Sequence, residues 1–218
     1  MPDNKIEKVV YFVRHGQSEH NIAPVFQSPD SPLSEKGKDQ AKYIAHRISR
    51  LSVEKIITSP FERAKQTAEI IAKMAGKDVE YSDLFVERIK PTSINGKTHD
   101  DKKASATWYQ WEESLYNPDI RVEDGENFSD ISIRVNNALT FLYECTEHTL
   151  VVVTHGYFLR AIVGRVLLGD LLTGEHLKRF IRNTAMENTS ITALRLHNSS
   201  EGDPIWRLWI YNDHSHLG

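Results

Sequence analysis

An α/β fold with a mainly parallel central sheet is predicted by the alternation of short apolar runs with amphipathic stretches. Residues 8–14 and 149–154 are β-branched apolar runs of strand length, and the shorter run 55–58 lies between them in the chain. A stretch with apolar residues at helical spacing follows each of these runs. Strands that alternate with helices in this way form a three-layer sandwich, in which helices cover both faces of the sheet.

The helices of this sandwich are predicted from apolar residues that recur every three or four positions. In the first helix, Ser34 fits the N-cap position, and Ile44 and Ile48 share one face. The second helix begins after Ser59-Pro60, which places a proline where a helix tolerates it. The predicted helices are 34–50, 61–75, 127–146 and 157–168, and the single cysteine, Cys145, falls at the end of the third.

Two further strands are predicted near the end of the sequence, over 189–197 and 204–211. Apolar residues such as Leu208 and Ile210 alternate with larger or polar neighbours in the second of them. A turn around Ser199–Asp203 would join the two strands. Because strands joined by a short turn pair antiparallel, we expect an antiparallel edge on the sheet.

The regular pattern breaks down between residues 78 and 125. Prolines, glycines and charges interrupt it, and we predict a helix over 100–116 inside a cap insertion at about 88–125. The insertion interrupts what is otherwise one domain, residues 1–218. Its cations, such as Lys90, could bind negative groups of a ligand or be solvated, and aromatics such as Trp108 could pack a ring or form local core.

Composition excludes several classes of function. The net charge of −3 and a pI near 6.4 argue against a general polyanion binder, so neither nucleic acid nor a membrane is an expected partner. One cysteine cannot form an internal disulfide, which fits a reducing compartment. The first residues lack the apolar core of a signal peptide, and no apolar run is long enough to span a bilayer. We therefore expect a cytoplasmic protein.

Two strands end in a histidine followed by a glycine. Arg14-His15-Gly16 follows the strand 8–14, and Thr154-His155-Gly156 follows the strand 149–154. In open α/β sheets, ligands bind outside the carboxyl ends of the strands. The two imidazoles would therefore face one site, in which Arg14 offers donors that match a phosphate and His15 is a candidate nucleophile.

A third candidate segment joins the end of strand 55–58 to the helix 61–75. It reads Ser-Pro-Phe-Glu-Arg, and its Arg63 falls in the first turn of the helix. The guanidinium and the positive end of that helix could both face a phosphate. Alternatively, Arg63 is a solvated residue on an amphipathic helix, which is the commoner position for a lone arginine.

Taken together and in order, these segments resemble the histidine phosphatase superfamily, the phosphoglycerate-mutase-like proteins. Further segments match the family pattern along nearly the whole chain, apart from the insertion. They are Pro32–Gly37 with Gln40-Ala41, Asp124–Glu126 ahead of Arg134-Val135, and Asn188–Thr192.

The resemblance implies roles for individual residues. His15 would be the nucleophile that becomes phosphorylated, and Arg14, Arg63 and His155 would hold the phosphoryl oxygens. Such a site needs neither a metal nor a cofactor, because guanidinium and imidazole groups supply the positive charge and the donors. Additional phosphate donors would come from Asn21, Gly156 and Tyr157.

The general acid is expected shortly after the third strand. Glu87 fits this place and would protonate the leaving oxygen and then activate water, with Glu126 and Asp83 as alternatives. A surface pair between Glu87 and Arg88 is the other interpretation. The sequence that follows, IKPTSINGKTHDD, departs from the family pattern, so the family does not indicate the substrate.

The function expected from the resemblance is hydrolysis of a phosphomonoester, a small phosphorylated metabolite, through a phosphohistidine. A mutase that passes the phosphoryl group to a second hydroxyl is one alternative, although the lysine- and arginine-rich stretch typical of those enzymes is missing. A non-catalytic module that binds phosphate or a phosphoprotein is another. The oligomeric state is open, with a homodimer as one option.

Overall fold

The structure, a computed structural model, describes residues 6–117, 120–199 and 202–218. Its strands are β1 (Ile6–Arg14), β2 (Lys55–Thr58), β3 (Val79–Tyr81), β4 (Thr149–Thr154), β5 (Ile191–Ser199) and β6 (Gly202–Asp213). They form one sheet in the order β3-β2-β4-β1-β5-β6. The first four strands in this order pair in parallel, whereas β5 is antiparallel to both of its neighbours. The predicted mainly parallel sheet with an antiparallel edge is confirmed.

Helices cover both faces of the sheet. They are α1 (Glu19–Ile22), α2 (Glu35–Ile48), α3 (Glu62–Ala75), α4 (Lys102–Glu113), α5 (Phe128–Glu144), α6 (Gly156–Leu168) and α7 (Gly174–Asn183). Ser34 is the N-cap of α2, since its side chain accepts a hydrogen bond from the Gly37 amide at 3.1 Å. Cys145 is the C-cap of α5, as its place in the sequence suggested. Among the described residues, no helix is both long and apolar enough to cross a bilayer.

The alternation of side chains along the central strands builds the two halves of the core. In β4, Leu150 and Val152 point to the layer of α5 and α6, whereas Val151 and Val153 point to the layer of α2 and α3. All four side chains are fully buried. Each contributes roughly 1.5–3 kcal/mol of hydrophobic stabilisation, which holds the carboxyl end of the strand in a fixed position.

Several boundaries and elements differ from the sequence-based expectations. Strand β3 and helix α7 were not predicted: β3 has only three residues at the sheet edge, and α7 buries only Gly174 and Leu177. The helix predicted over 100–116 is shorter and ends at Glu113. Strand β5 begins two residues later than expected, because Thr189 adopts a positive φ of 59° and is not part of the extended chain. Part of the predicted turn at 199–203 lies outside the described residues.

The segment between β3 and α5 packs onto the loop after α1. Val25 forms a β-bridge with Thr98, and the rings of Phe26 and Trp108 stack with centroids 5.1 Å apart. Phe26 also belongs to a small buried cluster with Ile94. The predicted cap is therefore helical, with α4 at its centre, and it covers one side of the carboxyl end of the sheet.

Candidate active site

The two strand-end histidines lie side by side. β1 and β4 are paired in parallel up to Arg14 and Thr154, so the next residue of each strand emerges at the same edge of the sheet. The His15 amide donates to the Thr154 carbonyl at 2.9 Å, and the rings of His15 and His155 have centroids 5.0 Å apart. His15 is 2% exposed and His155 is fully buried. The predicted convergence of the two imidazoles is present in the structure.

Two glycines allow the loop after β1 to pack tightly against the start of α2. A Cβ atom on Gly16 would lie 2.6 Å from the Gly37 carbonyl oxygen, and one on Gly37 would lie 1.9 Å from that of Gln17. Only residues without a side chain fit this close approach. The Gly16 amide also donates to Thr67 Oγ1 at 3.1 Å. These contacts hold the segment around Gly16 against the segment around Gly37, and they fix the position of His15.

Hydrogen bonds define the tautomer of His15. Its Nδ1 lies 2.7 Å from the Gly16 carbonyl oxygen, and the Nε of Arg63 lies 3.2 Å from its Nε2. Because a carbonyl can only accept and a guanidinium can only donate, Nδ1 carries the proton and Nε2 carries the lone pair. Burial, and then the charges of Arg63 and Arg14, hold the pKa of His15 well below its usual value. The imidazole is therefore neutral at neutral pH.

Arg63 is buried with its guanidinium against the nucleophile. Its Nη1 donates to the Ser28 carbonyl at 3.0 Å, and the side chain is 2% exposed. Burial lowers the pKa of Arg63 to about 10, so the group keeps its charge at neutral pH. The alternative of a solvated arginine at this position is excluded.

Arg14 is the last residue of β1 and directly precedes His15. Its Nη1 donates to the Met186 carbonyl, whereas its buried Nε has no hydrogen-bond partner among the described residues. A Cβ atom on Gly156 would lie 3.2 Å from that Nε, so glycine at this position leaves the guanidinium room. Arg14 therefore keeps a buried donor, unpaired within the described residues, beside Gly156, the residue that follows His155.

His155 is held by a serine from the neighbouring strand end. Its Nε2 lies 2.8 Å from Ser59 Oγ, and its buried Nδ1 has no partner among the described residues. Burial is the main reason why its pKa is also well below the usual value, and Arg63 and His15 add to the effect. Ser59 was not singled out for this contact in the sequence, although it precedes the proline of a recognised segment.

Glu87 lies at the N-terminus of α6. Its Oε1 accepts from the amide of Phe158 at 2.9 Å and from that of Arg88 at 3.0 Å, and its Oε2 accepts from the amide of Tyr157 at 3.2 Å. The helix end favours a negative group there. Arg134 fixes the backbone of this segment by donating to the carbonyls of Leu84, Val86 and Glu87.

The other predicted donors and acids occupy different surroundings. The Tyr157 amide, predicted to bind phosphate, donates to Glu87 instead. Asn21 lies at the edge of the cavity, and its Oδ1 accepts from the Ser18 amide at 2.9 Å. Of the alternative acids, Glu126 is paired with Arg134, and Asp83 is exposed in a 3₁₀ turn. Glu87 thus has a different environment from both alternatives, because it lines the same cavity as Arg63 and they do not.

A cavity of about 900 Å³ opens between this cluster and the cap. Arg63, Glu87 and Tyr157 line it on the side of the sheet, and Phe26 and Trp108 line it on the side of the cap. Its size exceeds the space that a phosphate needs and falls in the range of sites for small molecules. The cavity therefore extends from Arg63, which contacts His15, to a partly aromatic wall.

Arg88 connects the cap to the segment that bears Glu87. Its side chain is fully buried and stacks on Trp111, with 3.8 Å between the guanidinium carbon and the ring centroid. It donates to the carbonyls of Trp111 and Glu126 at 2.7 and 3.2 Å, and to Ser114 Oγ at 3.1 Å. The interpretation of Glu87 and Arg88 as a surface pair is wrong, because long-range partners that the local sequence does not reveal bury Arg88.

The part of the chain that the structure describes contains no candidate metal site, that is, no group of three or more histidine, cysteine, aspartate or glutamate side chains placed to hold a metal ion. Two guanidinium groups lie near His15, and the imidazole beside it, His155, contacts a serine hydroxyl. This donor set suits an anion.

Comparison with known proteins identifies the family. The model of the histidine phosphatase superfamily (branch 1) matches residues 10–206. A probable phosphoglycerate mutase of Citrobacter koseri is 30% identical over 216 residues, which cover 95% of this chain and 94% of that protein. Its counterpart from Photorhabdus laumondii is 32% identical over 169 residues, covering 72% and 74% of the two chains.

Solved structures show the same fold. A mycobacterial glucosyl-3-phosphoglycerate phosphatase in complex with VO3 has a TM-score of 0.74 at 23% identity, covering 94% of this chain and 99% of that one. A phosphoserine phosphatase variant from Entamoeba histolytica, in complex with phosphoserine, has a TM-score of 0.72 at 23% identity, covering 96% and 99%. The family match, the curated relatives and the arrangement of the strand-end histidines agree, and the chain belongs to the histidine phosphatase superfamily.

Proposed function

We propose that this protein is a phosphatase that hydrolyses small phosphomonoesters through a phosphohistidine at His15. The contact between Arg63 Nε and His15 Nε2 carries this proposal. It marks the nitrogen with the lone pair and puts a guanidinium beside it, where that group can bind the oxygens of a phosphoryl group under attack. Membership of a superfamily with named phosphatases supports the same reaction.

In the first step, the lone pair of His15 Nε2 attacks phosphorus while the bond from phosphorus to the ester oxygen breaks. Glu87 donates a proton to that oxygen, and the alcohol leaves. In the second step, the Glu87 carboxylate takes a proton from water, and the water oxygen attacks phosphorus as the bond between phosphorus and nitrogen breaks. Inorganic phosphate is released, and Glu87 again carries the proton that the next cycle needs.

Arg14, Arg63 and His155 stabilise the charge on the phosphoryl oxygens. Arg63 exchanges its contact with the His15 lone pair for a phosphoryl oxygen, and Arg14 offers its unpaired Nε. His155 is neutral and can donate one hydrogen bond. The two guanidinium groups supply the positive charge that a metal ion supplies in other phosphatases, so the proposed reaction requires no metal and no cofactor.

Asn21 and Gly156 remain proposed contacts of the phosphate. The Asn21 side chain borders the cavity, and the Gly156 backbone lies against the Arg14 guanidinium. For Tyr157, the amide can reach a phosphate only if Glu87 gives up its hydrogen bond to it. We therefore rank Tyr157 below the side chains of Arg14 and Arg63 as a phosphate ligand.

A mutase is the second candidate, because the curated relatives of about the same length are named probable phosphoglycerate mutases. The two activities differ in where the phosphoryl group goes. Incubation with 3-phosphoglycerate, followed by phosphorus NMR, separates them: a phosphatase releases inorganic phosphate, whereas a mutase forms 2-phosphoglycerate. We expect inorganic phosphate as the main product.

Phosphate release from a panel of phosphorylated metabolites and phosphopeptides tests the proposed function. We expect turnover of at least one small phosphomonoester by the wild-type protein and none by the His15→Ala variant. Binding of phosphorylated ligands without turnover of any of them would contradict the phosphatase and support a non-catalytic binding module. The exposed cap residue Lys103 offers a control, since Lys103→Met changes a charge on α4 away from the cavity lining.

A further inference from the structure

The turn between α7 and β5 contacts the strand end that carries His15. Asn188 Nδ2 donates to the His15 carbonyl at 2.9 Å, and the Thr189 amide donates to the Arg14 carbonyl at 2.9 Å. Just before the turn, the Met186 carbonyl accepts from the Arg14 guanidinium. One short segment therefore holds both the proposed nucleophile and a proposed phosphate ligand, and the proposed chemistry assigns no role to it.

Thr189 is an unusual residue for its place in this turn. The Ser190 amide closes the turn on the Glu187 carbonyl at 3.1 Å, which puts Thr189 at the third position with a φ of 59°. That position favours glycine or asparagine, and a β-branched residue rarely adopts such a backbone. Thr189 is nevertheless fully buried there, and its hydroxyl donates to the Asn188 carbonyl at 2.7 Å. The hydroxyl thus helps to hold a conformation that the backbone alone disfavours.

His216 provides the other hydrogen bond of this hydroxyl. It lies in a 3₁₀ turn, Ser215–Leu217, that packs against α2, and its Nε2 is 3.1 Å from Thr189 Oγ1. Its Nδ1 is 3.5 Å from a guanidinium nitrogen of Arg47. Because a guanidinium can only donate, Nδ1 carries the lone pair, and Nε2 carries the proton that it donates to the Thr189 hydroxyl. Burial and the charge of Arg47 lower the pKa of His216 to about 4, so the ring is neutral at neutral pH.

The segment that carries His216 is itself anchored. Arg47 on α2 forms an ion pair with Asp213, three residues before His216. The Asn212 side chain accepts from the Glu187 amide at 2.7 Å, which is a second contact with the turn. A continuous series of contacts therefore joins α2 to the turn, and the turn to the end of β1.

We propose that His216 is a positioning residue: through the Thr189 hydroxyl it holds the turn that sets the backbone of His15 for attack on phosphorus. The inference rests on the proposed function, because it assigns His216 a role in the reaction at His15. His216 does not line the cavity, so it acts without touching the substrate. A displacement of about 1 Å, caused by a change far from the chemistry, can slow a reaction about 100-fold.

Single-turnover release of nitrophenol from p-nitrophenyl phosphate tests this role. We expect His216→Ala to slow this step about 10- to 100-fold, with a smaller change of KM, because binding tolerates a displacement better than attack does. His216→Gln keeps an N–H donor near the place of Nε2 and should restore most of the rate. As a control, His148→Ala removes a histidine that contacts the Glu7 carbonyl at 2.7 Å near the start of β1, and it should keep the wild-type rate.

A second substitution tests the path from His216 to His15. Thr189→Val keeps the branched shape but removes the hydroxyl, so it should slow the same step to a similar extent. Because both changes interrupt one series of contacts, the double variant should be no slower than the slower single variant. Independent losses that multiply in the double variant would overturn the proposed path.

Nitrogen NMR of the His15 ring gives a measure that does not depend on turnover. We expect its signals to shift in His216→Ala and to stay unchanged in His148→Ala. Wild-type rates and unchanged signals in His216→Ala would overturn the role of His216. If that variant does not fold, equal rates in the wild-type protein, His216→Gln and Thr189→Val would overturn it instead. Shifted signals, together with a wild-type protein that turns over no phosphomonoester, would contradict the phosphatase and still show that His216 positions His15.

Discussion

Arg63 Nε donates to His15 Nε2 over 3.2 Å, so a charged guanidinium protects the lone pair of the proposed nucleophile from protonation. The Gly16 carbonyl holds the proton on the opposite nitrogen at 2.7 Å. Together with burial, this arrangement keeps the imidazole neutral, and it places the neighbouring charge where a phosphoryl group would arrive. Activation of His15 and binding of the substrate thus depend on the same arginine.

The buried neutral histidines should make stability depend on pH below about 6.5. The pKa of His155 is lowered on folding, so the unfolded chain binds a proton more readily as the pH falls. The contribution of His155 to stability is therefore constant above the unfolded pKa of about 6.5 and is lost below it, up to a limit of about 1.4 kcal/mol at pH 5.5 that the unfolded pKa sets. Urea unfolding of the wild-type protein and of His155→Gln, at pH 7.5 and 5.5, measures this contribution.

Between these two pH values, we expect the free energy of unfolding to fall less in His155→Gln than in the wild-type protein. The difference should be at most about 1.4 kcal/mol. Removal of the exposed His176 on α7, as His176→Gln, controls for the loss of a solvated histidine. If the wild-type protein and His155→Gln lose the same free energy, His155 is not held neutral in the folded state.

Glu87→Gln should separate esters by the quality of their leaving group. An alkyl alcohol leaves poorly without a proton, so the first step should slow about 10²- to 10⁴-fold on an alkyl phosphate. A nitrophenolate leaves readily without one, and single-turnover release of nitrophenol from p-nitrophenyl phosphate should slow much less. The glutamine keeps the shape of the side chain, and Glu144→Gln on the exposed end of α5 provides the control.

An equal loss on both esters would mean that Glu87 positions the phosphate or supports the N-terminus of α6, which its three amide contacts make physically reasonable. The second step needs separate attention, because the same carboxylate is proposed to activate water. Steady-state rates combine both steps, and for that reason the release of nitrophenol in a single turnover is the informative measurement.

Activity should not require a divalent metal ion. The charge of Arg14 and Arg63 is already present beside His15, so hydrolysis should continue after dialysis against a strong chelator. Vanadate, which resembles phosphate, should compete with the substrate. Complete loss of turnover in chelator, with recovery on adding a divalent ion, would show that the proposed charge stabilisation is incomplete.

The sequence is sufficient to predict the strand ends that carry the site, because they depend on local signals. Apolar β-branched runs define β1 and β4, and parallel pairing then brings His15 and His155 to one edge of the sheet. Neighbouring residues also predict that Ser34 is the N-cap of α2 and that Cys145 lies at the C-terminal end of α5. These features need no knowledge of distant contacts.

Other features depend on contacts between residues far apart in the chain, and local patterns do not predict them. The local sequence predicts that Arg88 is exposed, yet its side chain is buried in contact with Trp111 and the backbone of Glu126. The Tyr157 amide is a predicted phosphate donor, yet in the structure it donates its hydrogen bond to the Glu87 carboxylate. Likewise, Lys90 resembles the other lysines of the insertion in sequence, yet its ammonium group donates to the Gln27 carbonyl.

The central claim is that the phosphoryl group passes through His15. The direct measurement is mass spectrometry and acid-stability analysis of protein that has been quenched during turnover of a phosphomonoester. We expect an acid-labile phosphoryl group on His15 of the wild-type protein, formed and lost at rates compatible with turnover, and none in a folded His15→Ala variant, which should be inactive. A phosphoryl group on another residue, or full activity of His15→Ala, would contradict the account.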